Sequence, residues 1–258
     1  MAGSQPLWTP SRERVEHHPI TRFTAEAAAR TNRDIPDFDA LHRWSIEEPE
    51  AFWRLLWDFT GVLGEPGERV LVDGNKMPGA RFFPDAKLNY AENLLRHTGS
   101  GEAICFRGEN KVERRLSWDE LHALVSRLQQ LMEAQGVKTG DRVAAMMPNM
   151  PETIAVMLAA SSIGAIFSSC SPDFGVQGVL DRFGQIEPVI FVAPDAYWYN
   201  GKKNDVGEKV TAIAAQLPTV RKVLIVDYCG GAADWAETIP NAEPFEAALA
   251  EYAVKPVR

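Results

Sequence analysis

Tyr197-Trp-Tyr-Asn-Gly-Lys-Lys203 places aromatic rings, a glycine and two lysines at a spacing that could hold a nucleotide. Two of the aromatics could flank a purine, Gly201 would let backbone amides approach a phosphate, and Lys202 or Lys203 would neutralise it. The same residues also fit a solvated loop whose lysines face water, and their spacing leaves both readings open. A second candidate, Ser171-Pro-Asp-Phe-Gly175, precedes a predicted helix whose first amides favour an anion. Asp173 works against that reading, because a carboxylate there repels phosphate and suits a cap or a turn. Gly99-Ser-Gly101 lacks both the Gly-Lys-Ser/Thr and the leading strand of a phosphate loop.

Other chemistries find no support. There is no Gly-x-Ser-x-Gly elbow, no His-Glu-x-x-His and no Gly-x-Gly-x-x-Gly, which counts against a hydrolase, a zinc protease and a dinucleotide oxidoreductase. His17, His18, His42, His97 and His122 are scattered without metal-ligand spacing. Cys105, Cys170 and Cys229 are far apart and odd in number, which fits a reducing cytoplasm better than a disulfide framework. The sequence offers no catalytic residue and no metal ligand.

The candidate loops sit between elements with a regular pattern. Ser117 and Glu120 make a capping box, Leu121, Leu124, Val125, Leu128 and Leu131 line one helical face, and Gly136 supplies a left-handed stop. Predicted strands at 142–147, 165–169, 189–193 and 222–226 alternate with helices, one of them capped by Asn149 and closed by Gly164. Such strands need crossover connections, so they lie parallel under helices, and ligands collect beyond their carboxyl ends. Three connections qualify: 148–151, 170–175 and 194–203, the last read as a polar loop. The tail after Asp227 shows only a short helix near 245–252 and reads as a segment awaiting something to pack against.

The first 110 residues differ in texture, being rich in Trp, Pro, Asn and His. Ser45 and Glu48 suggest a capping box for a helix that starts near Pro49 and carries Phe52, Trp53, Leu56 and Phe59 as a core stripe. The runs 104–107 and 112–116 read as a β-hairpin. The expected fold class is therefore α/β, a doubly wound and mainly parallel sheet with flanking helices, preceded by a helical and aromatic extension over 1–110. Residues 111–258 would be the first α/β subdomain, incomplete at its carboxyl end. With 27 basic against 35 acidic residues, net charge −8, nothing global draws the chain to nucleic acid or an anionic membrane. No apolar run approaches bilayer-spanning length.

The run Gly-Asp-Arg-Val-Ala-Ala-Met-Met-Pro-Asn-Met-Pro-Glu-Thr-Ile (140–154), then Ala-Ser-Ser-Ile-Gly-Ala-Ile-Phe-Ser-Ser-Cys-Ser-Pro-Asp-Phe-Gly (160–175), resembles the adenylate-forming acyl-CoA synthetases. The Trp-rich helix at 44–59 and Lys-Leu-Asn-Tyr-Ala-Glu-Asn-Leu-Leu (87–95) resemble the amino-terminal extension of their short-chain branch, and the two candidate loops are most similar to its acetoacetate-activating members. The resemblance implies a ligase in which acetoacetate and ATP give an acyl-adenylate and pyrophosphate, after which coenzyme A displaces AMP, with Mg2+ shielding phosphate charge. It implies that the phosphate-gripping loop, the adenine contacts and the catalytic Lys belong to polypeptide beyond Arg258. The chain then reads as an amino-terminal part, inactive alone, whose partners are small molecules and the remainder of its own chain.

Some CoA contacts carry over by the same resemblance. In acetyl-CoA synthetases a loop with two arginines around a glycine holds the nucleotide end of CoA, and it aligns with Tyr199-Asn200-Gly201-Lys202, followed here by Lys203. Lys202 matches the second arginine, while Tyr199 replaces the first and removes a bidentate donor. Asp173, Phe174 and Gly175 fall near a glycine-rich turn beside the CoA nucleotide, with Pro172 and Asp173 in place of glycines. Two other readings stay open: an acetyl- or propionyl-CoA synthetase segment, and a free-standing module that binds CoA or nucleotide without catalysis.

Overall fold

The computed structural model describes residues 7–257, in two compact units divided between Leu88 and Asn89. The first contains α1 (Arg12–Glu16), α2 (Pro19–Thr31), α3 (Phe38–Glu47), α4 (Pro49–Thr60) and a two-rung ladder of β1 (Leu71–Val72) with β2 (Arg81–Phe82). Its core gathers Phe23, Ala27, Leu41, Trp44 and Leu55, with the Phe52 and Phe59 rings edge-on to Phe23 at 5.5 and 5.1 Å. The expected stripe is half right: Phe52, Leu56 and Phe59 pack inward, but Trp53 lies exposed against Phe82 and Leu55 takes the buried place.

The Ser45–Glu48 capping box does not form. Pro49 has no N–H and breaks the helix immediately before itself, so Glu48 is the N-cap and Ser45 still belongs to α3. The Ser45 hydroxyl donates to the His42 carbonyl at 2.7 Å, and Glu48 pairs with Arg33.

The second unit opens with α5 (Tyr90–Leu94), whose N-cap Asn89 accepts from the Ala91 and Glu92 amides. An antiparallel hairpin follows, β3 (Glu102–Gly108) and β4 (Val112–Ser117), then α6 (Trp118–Ala134). The hairpin straddles the change in sequence texture near residue 110 and lies whole within this unit. At the start of α6 both bonds of the predicted capping box are present. The Ser117 backbone bond, and after it the Ser117 hydroxyl, hold the Glu120 carboxyl below the usual carboxylate range. That contribution to stability is complete above the ordinary range and is lost as pH falls through the lowered value.

The sheet is built from β5 (Arg142–Met146), β6 (Ile166–Cys170), β7 (Ile190–Pro194), β10 (Lys222–Val226) and β11 (Ala242–Pro244), all parallel. Between them run α7 (Pro151–Ser162), α8 (Val176–Ile186), the hairpin strands β8 (Ala196–Tyr199) and β9 (Lys202–Asp205), α9 (Gly207–Ala214) and α10 (Ala232–Thr238), with α11 (Phe245–Leu249) at the end. The spatial order is β11-β10-β7-β5-β6, so β5 is flanked by β6 on one side and β7 on the other, a topological switch point.

Both faces are covered, which explains the unbroken apolar runs of the central strands. Val143, Ala145, Ile190, Val192 and Leu224 face α6, α7 and α11. Their neighbours Ala144, Met146, Phe191, Ala193 and Ile225 face α8, α9 and α10.

Two expectations need correction here. The helix after β5 is not capped by Asn149: Met150 is the N-cap, with no side-chain bond, and Pro151 starts the helix. The tail is not left waiting, because β11 adds a fifth strand and Phe245, Ala248 and Leu249 are buried in the core. Its last residues run along α6, where Gln130 donates to the Ala253 carbonyl and Lys255 N–H donates to Ser126 Oγ.

Candidate functional site

Four connections leave the carboxyl ends of the central strands: 147–150 after β5, 171–175 after β6, the β8–β9 hairpin after β7, and 227–231 after β10. This is the rim where a doubly wound sheet receives ligands. By contrast, the hollow of about 390 Å3 lined by Phe23, Phe38, Leu41, Phe52 and Leu56 in the first unit offers no carboxylate, lysine or arginine to orient a nucleotide.

The predicted polar loop 194–203 is a hairpin. Ala196 pairs with Asp205, Tyr197 with Asn204, Trp198 with Lys203 and Tyr199 with Lys202, around a two-residue turn with Asn200 at φ 50 and Gly201 at φ 72. Asn-Gly with both residues in the left-handed region is the turn whose twist matches paired strands. Strand geometry sends Tyr197 and Trp198 to opposite faces, so these neighbours do not sandwich one purine. The Tyr197 hydroxyl donates to Asp173 at 2.5 Å, whereas the Trp198 ring has the Lys111 ammonium 5.5 Å from its centre.

The expected contacts Tyr199 and Lys202 are cross-strand partners beside the turn. Tyr199 is 63% exposed, and Lys202 is exposed with no carboxylate or carbonyl holding its ammonium among the described residues. Lys203 differs, because its ammonium donates to the Cys229 carbonyl at 3.0 Å. One lysine ties the hairpin to the 227–231 loop, and the other is free to meet an anion.

Asp173 is a turn residue, its amide donating to Ser171 Oγ and its carboxylate accepting from Ser171 Oγ and Tyr197. Gly175, and not Asp173, is the N-cap of α8, with no side-chain bond to the first amides. Phe174 lies under the Arg182 guanidinium at 4.4 Å. The structure therefore joins Asp173 to the base of the hairpin, and leaves Phe174 and Gly175 beside α8. Lys209 reinforces the joint by donating to the Pro172 carbonyl at 2.6 Å. Burial first, and then the bond to Asp173, push the Tyr197 phenol up to about 12, so it remains a donor at neutral pH.

Three supports escaped the sequence reading. Asp195, 1% exposed, follows β7, and its carboxylate accepts from the Tyr228, Cys229 and Gly231 amides at 2.8–3.1 Å. Burial next to that carboxylate pushes the Cys229 thiol up to about 11, and burial does the same to Cys170. At about 11, both thiols carry their protons at neutral pH. Glu152, in the first turn of α7, is buried and bonded to Arg114 at 2.6 Å. Glu109, at the β3–β4 turn, accepts from the Gly201 amide at 2.8 Å. Only an Asp directly after an apolar strand hinted at Asp195; the other two depend on contacts distant in sequence.

Among the described residues, no group of three or more His, Cys, Asp or Glu could hold a metal ion, and no helix is long and apolar enough to cross a membrane.

The AMP-binding enzyme family model matches residues 94–255, and that of the acetyl-coenzyme A synthetase N-terminus matches residues 38–94. The chain is 59% identical over 241 residues to the acetoacetyl-coenzyme A synthetase of Rhizobium meliloti (strain 1021), covering 93% of this chain and 36% of that one. It is 38% identical over 228 residues to the acetoacetyl-CoA synthetase of Macaca fascicularis, covering 87% and 34%. Among solved structures, acetoacetyl-CoA synthetase from Streptomyces lividans has a TM-score of 0.88 at 37% identity, covering 98% of this chain and 39% of that one. The chain spans about a third of the length of the curated relatives it matches. With more than half of its residues inside one family model, and a fold that matches a solved relative at a TM-score of 0.88, the chain belongs to the AMP-binding enzymes.

Proposed function

We propose that this chain is the amino-terminal part of an acetoacetate–CoA ligase. In the whole enzyme the acetoacetate carboxylate attacks the α-phosphorus of ATP and releases pyrophosphate. The CoA thiol then attacks the acyl carbon and releases AMP, leaving acetoacetyl-CoA. The observation that carries this reading is the 59% identity over 241 residues, 93% of the chain.

Within this segment the rim formed by Tyr199, Asn200, Gly201, Lys202 and Lys203, with Asp173 joined to its base through Tyr197 and Phe174 and Gly175 beside α8, would receive the nucleotide end of CoA. Lys202 is the anion contact, since Lys203 is spent on the Cys229 carbonyl. Tyr199 offers a ring face beside it in place of a second cation. Adenylation chemistry, and acceptance of the acid, fall to the remainder of the polypeptide that the matched relatives possess. Magnesium would shield ATP there; among the described residues no group of three or more His, Cys, Asp or Glu could hold a metal ion, and none of them is assigned to it. The reading includes a cytoplasmic setting, in keeping with three unpaired cysteines.

Lys202→Glu in the full-length ligase tests the rim. Reversing an exposed charge at a phosphate contact is expected to raise the KM for CoA about tenfold and to leave acid-dependent ATP–pyrophosphate exchange near its normal rate. An unchanged KM for CoA would return Lys202 to the solvated surface lysines.

A further inference from the structure

The Gly201 amide at the hairpin tip, which a phosphate received there would meet, already has an acceptor. Glu109 Oε2 accepts the Gly201 N–H at 2.8 Å, from a residue 92 positions earlier in the chain. Glu109 is held in the left-handed region at φ 54, at the turn joining β3 to β4, so a second hairpin delivers the carboxylate. Lys111 of that same turn lies over Trp198 at 5.5 Å, which makes a second link between the two hairpins. Among the described residues no lysine or arginine pairs with Glu109, whose carboxylate accepts from the Gly201 amide and adds to the upward push on the Tyr228 phenol. Lys202, next along the chain, keeps its ammonium unpaired. An anion of the protein thus stands where a ligand's anion would be received.

We infer that Glu109 is an internal competitor for the phosphate at the nucleotide end of CoA. With the tip empty, the carboxylate holds the Asn200–Gly201 turn in shape. When the phosphate arrives, the two anions claim one amide and repel each other, so the carboxylate must swing away. No bond is made or broken and no proton moves in this exchange. Glu109 therefore sets the KM for CoA upward, and does so only for ligands that carry a phosphate at that end. This inference rests on the CoA reading of the rim.

The test uses the full-length ligase and two thiol substrates, CoA and dephospho-CoA, which lacks the ribose 3′-phosphate. Glu109→Gln keeps an oxygen acceptor for the turn and removes the charge. The KM for CoA is expected to fall about two- to fivefold, that for dephospho-CoA not to follow, and the difference to shrink as salt is raised. A KM for CoA that is unchanged or higher overturns the inference, and so does an equal fall for both substrates. Lys202→Glu, measured in parallel, separates the two levels. If it leaves the KM for CoA unchanged, the CoA reading itself has failed; if it raises that KM while Glu109→Gln does not lower it, only the competitor role is lost.

Discussion

Asp195→Ala is expected to destabilise the second unit by about 3–5 kcal/mol. The carboxylate is buried with no cationic partner among the described residues, and the amides of Tyr228, Cys229 and Gly231 take the place of one. Hydrogen bonds to a charged acceptor contribute about 1.5–3 kcal/mol each, and three donors lose theirs together. Water can reach part of the 227–231 loop and offset some of the loss, which sets the lower end of the range. Asp195→Asn should cost roughly half as much, since its amide oxygen still accepts while its NH2 faces a donor. Urea unfolding reads this as a lowered midpoint at constant m-value. A shift worth less than about 1 kcal/mol would mean that the loop closes without Asp195. Because Lys203 reaches that loop through the Cys229 carbonyl, loosening it should also raise the hydrogen-exchange rate of the β8–β9 hairpin amides.

The second large effect concerns Glu152. Its carboxylate is 3% exposed, Oε1 meets the Arg114 guanidinium at 2.6 Å, and Oε2 has no partner among the described residues. Arg114→Met leaves that charge buried with only the first turn of α7 to stabilise it, and should cost about 3–5 kcal/mol. Replacing both residues, Arg114→Met with Glu152→Met, should recover most of that loss, because no buried ion is left behind. The double-mutant cycle decides: additive losses would show that the pair is incidental. Positioning is what the pair supplies, since it pins the β3–β4 hairpin to the helix that begins at the carboxyl end of the central strand β5.

What was legible in the sequence follows from how local each signal is. The helix at 118–134 declares itself because its cap, its apolar stripe and its stop all lie within twenty residues, and its capping box forms as read. The central strands declare themselves because both faces are buried and the apolar run is unbroken. The β8–β9 hairpin was hidden by Lys202-Lys-Asn-Asp205, a strand of polar residues that looks like loop, although Asn200-Gly201 was the stronger signal. Strand β11 was hidden for a similar reason, being three residues at a sheet edge with Pro244 as its last. The resemblance to acyl-CoA synthetases singled out the rim residues as candidates, but not the groups that support them. Asp195, Glu109 and Arg114 act across 33 or more residues of chain, and no local pattern marks such partners.

The most direct test of the ligase reading is ATP–pyrophosphate exchange by the full-length protein, with acetoacetate, acetate or propionate as the acid. Exchange that depends on acid, and runs about tenfold or more faster with acetoacetate than with either of the others, is the predicted result. Exchange that ignores the acid, or that favours acetate, would contradict it.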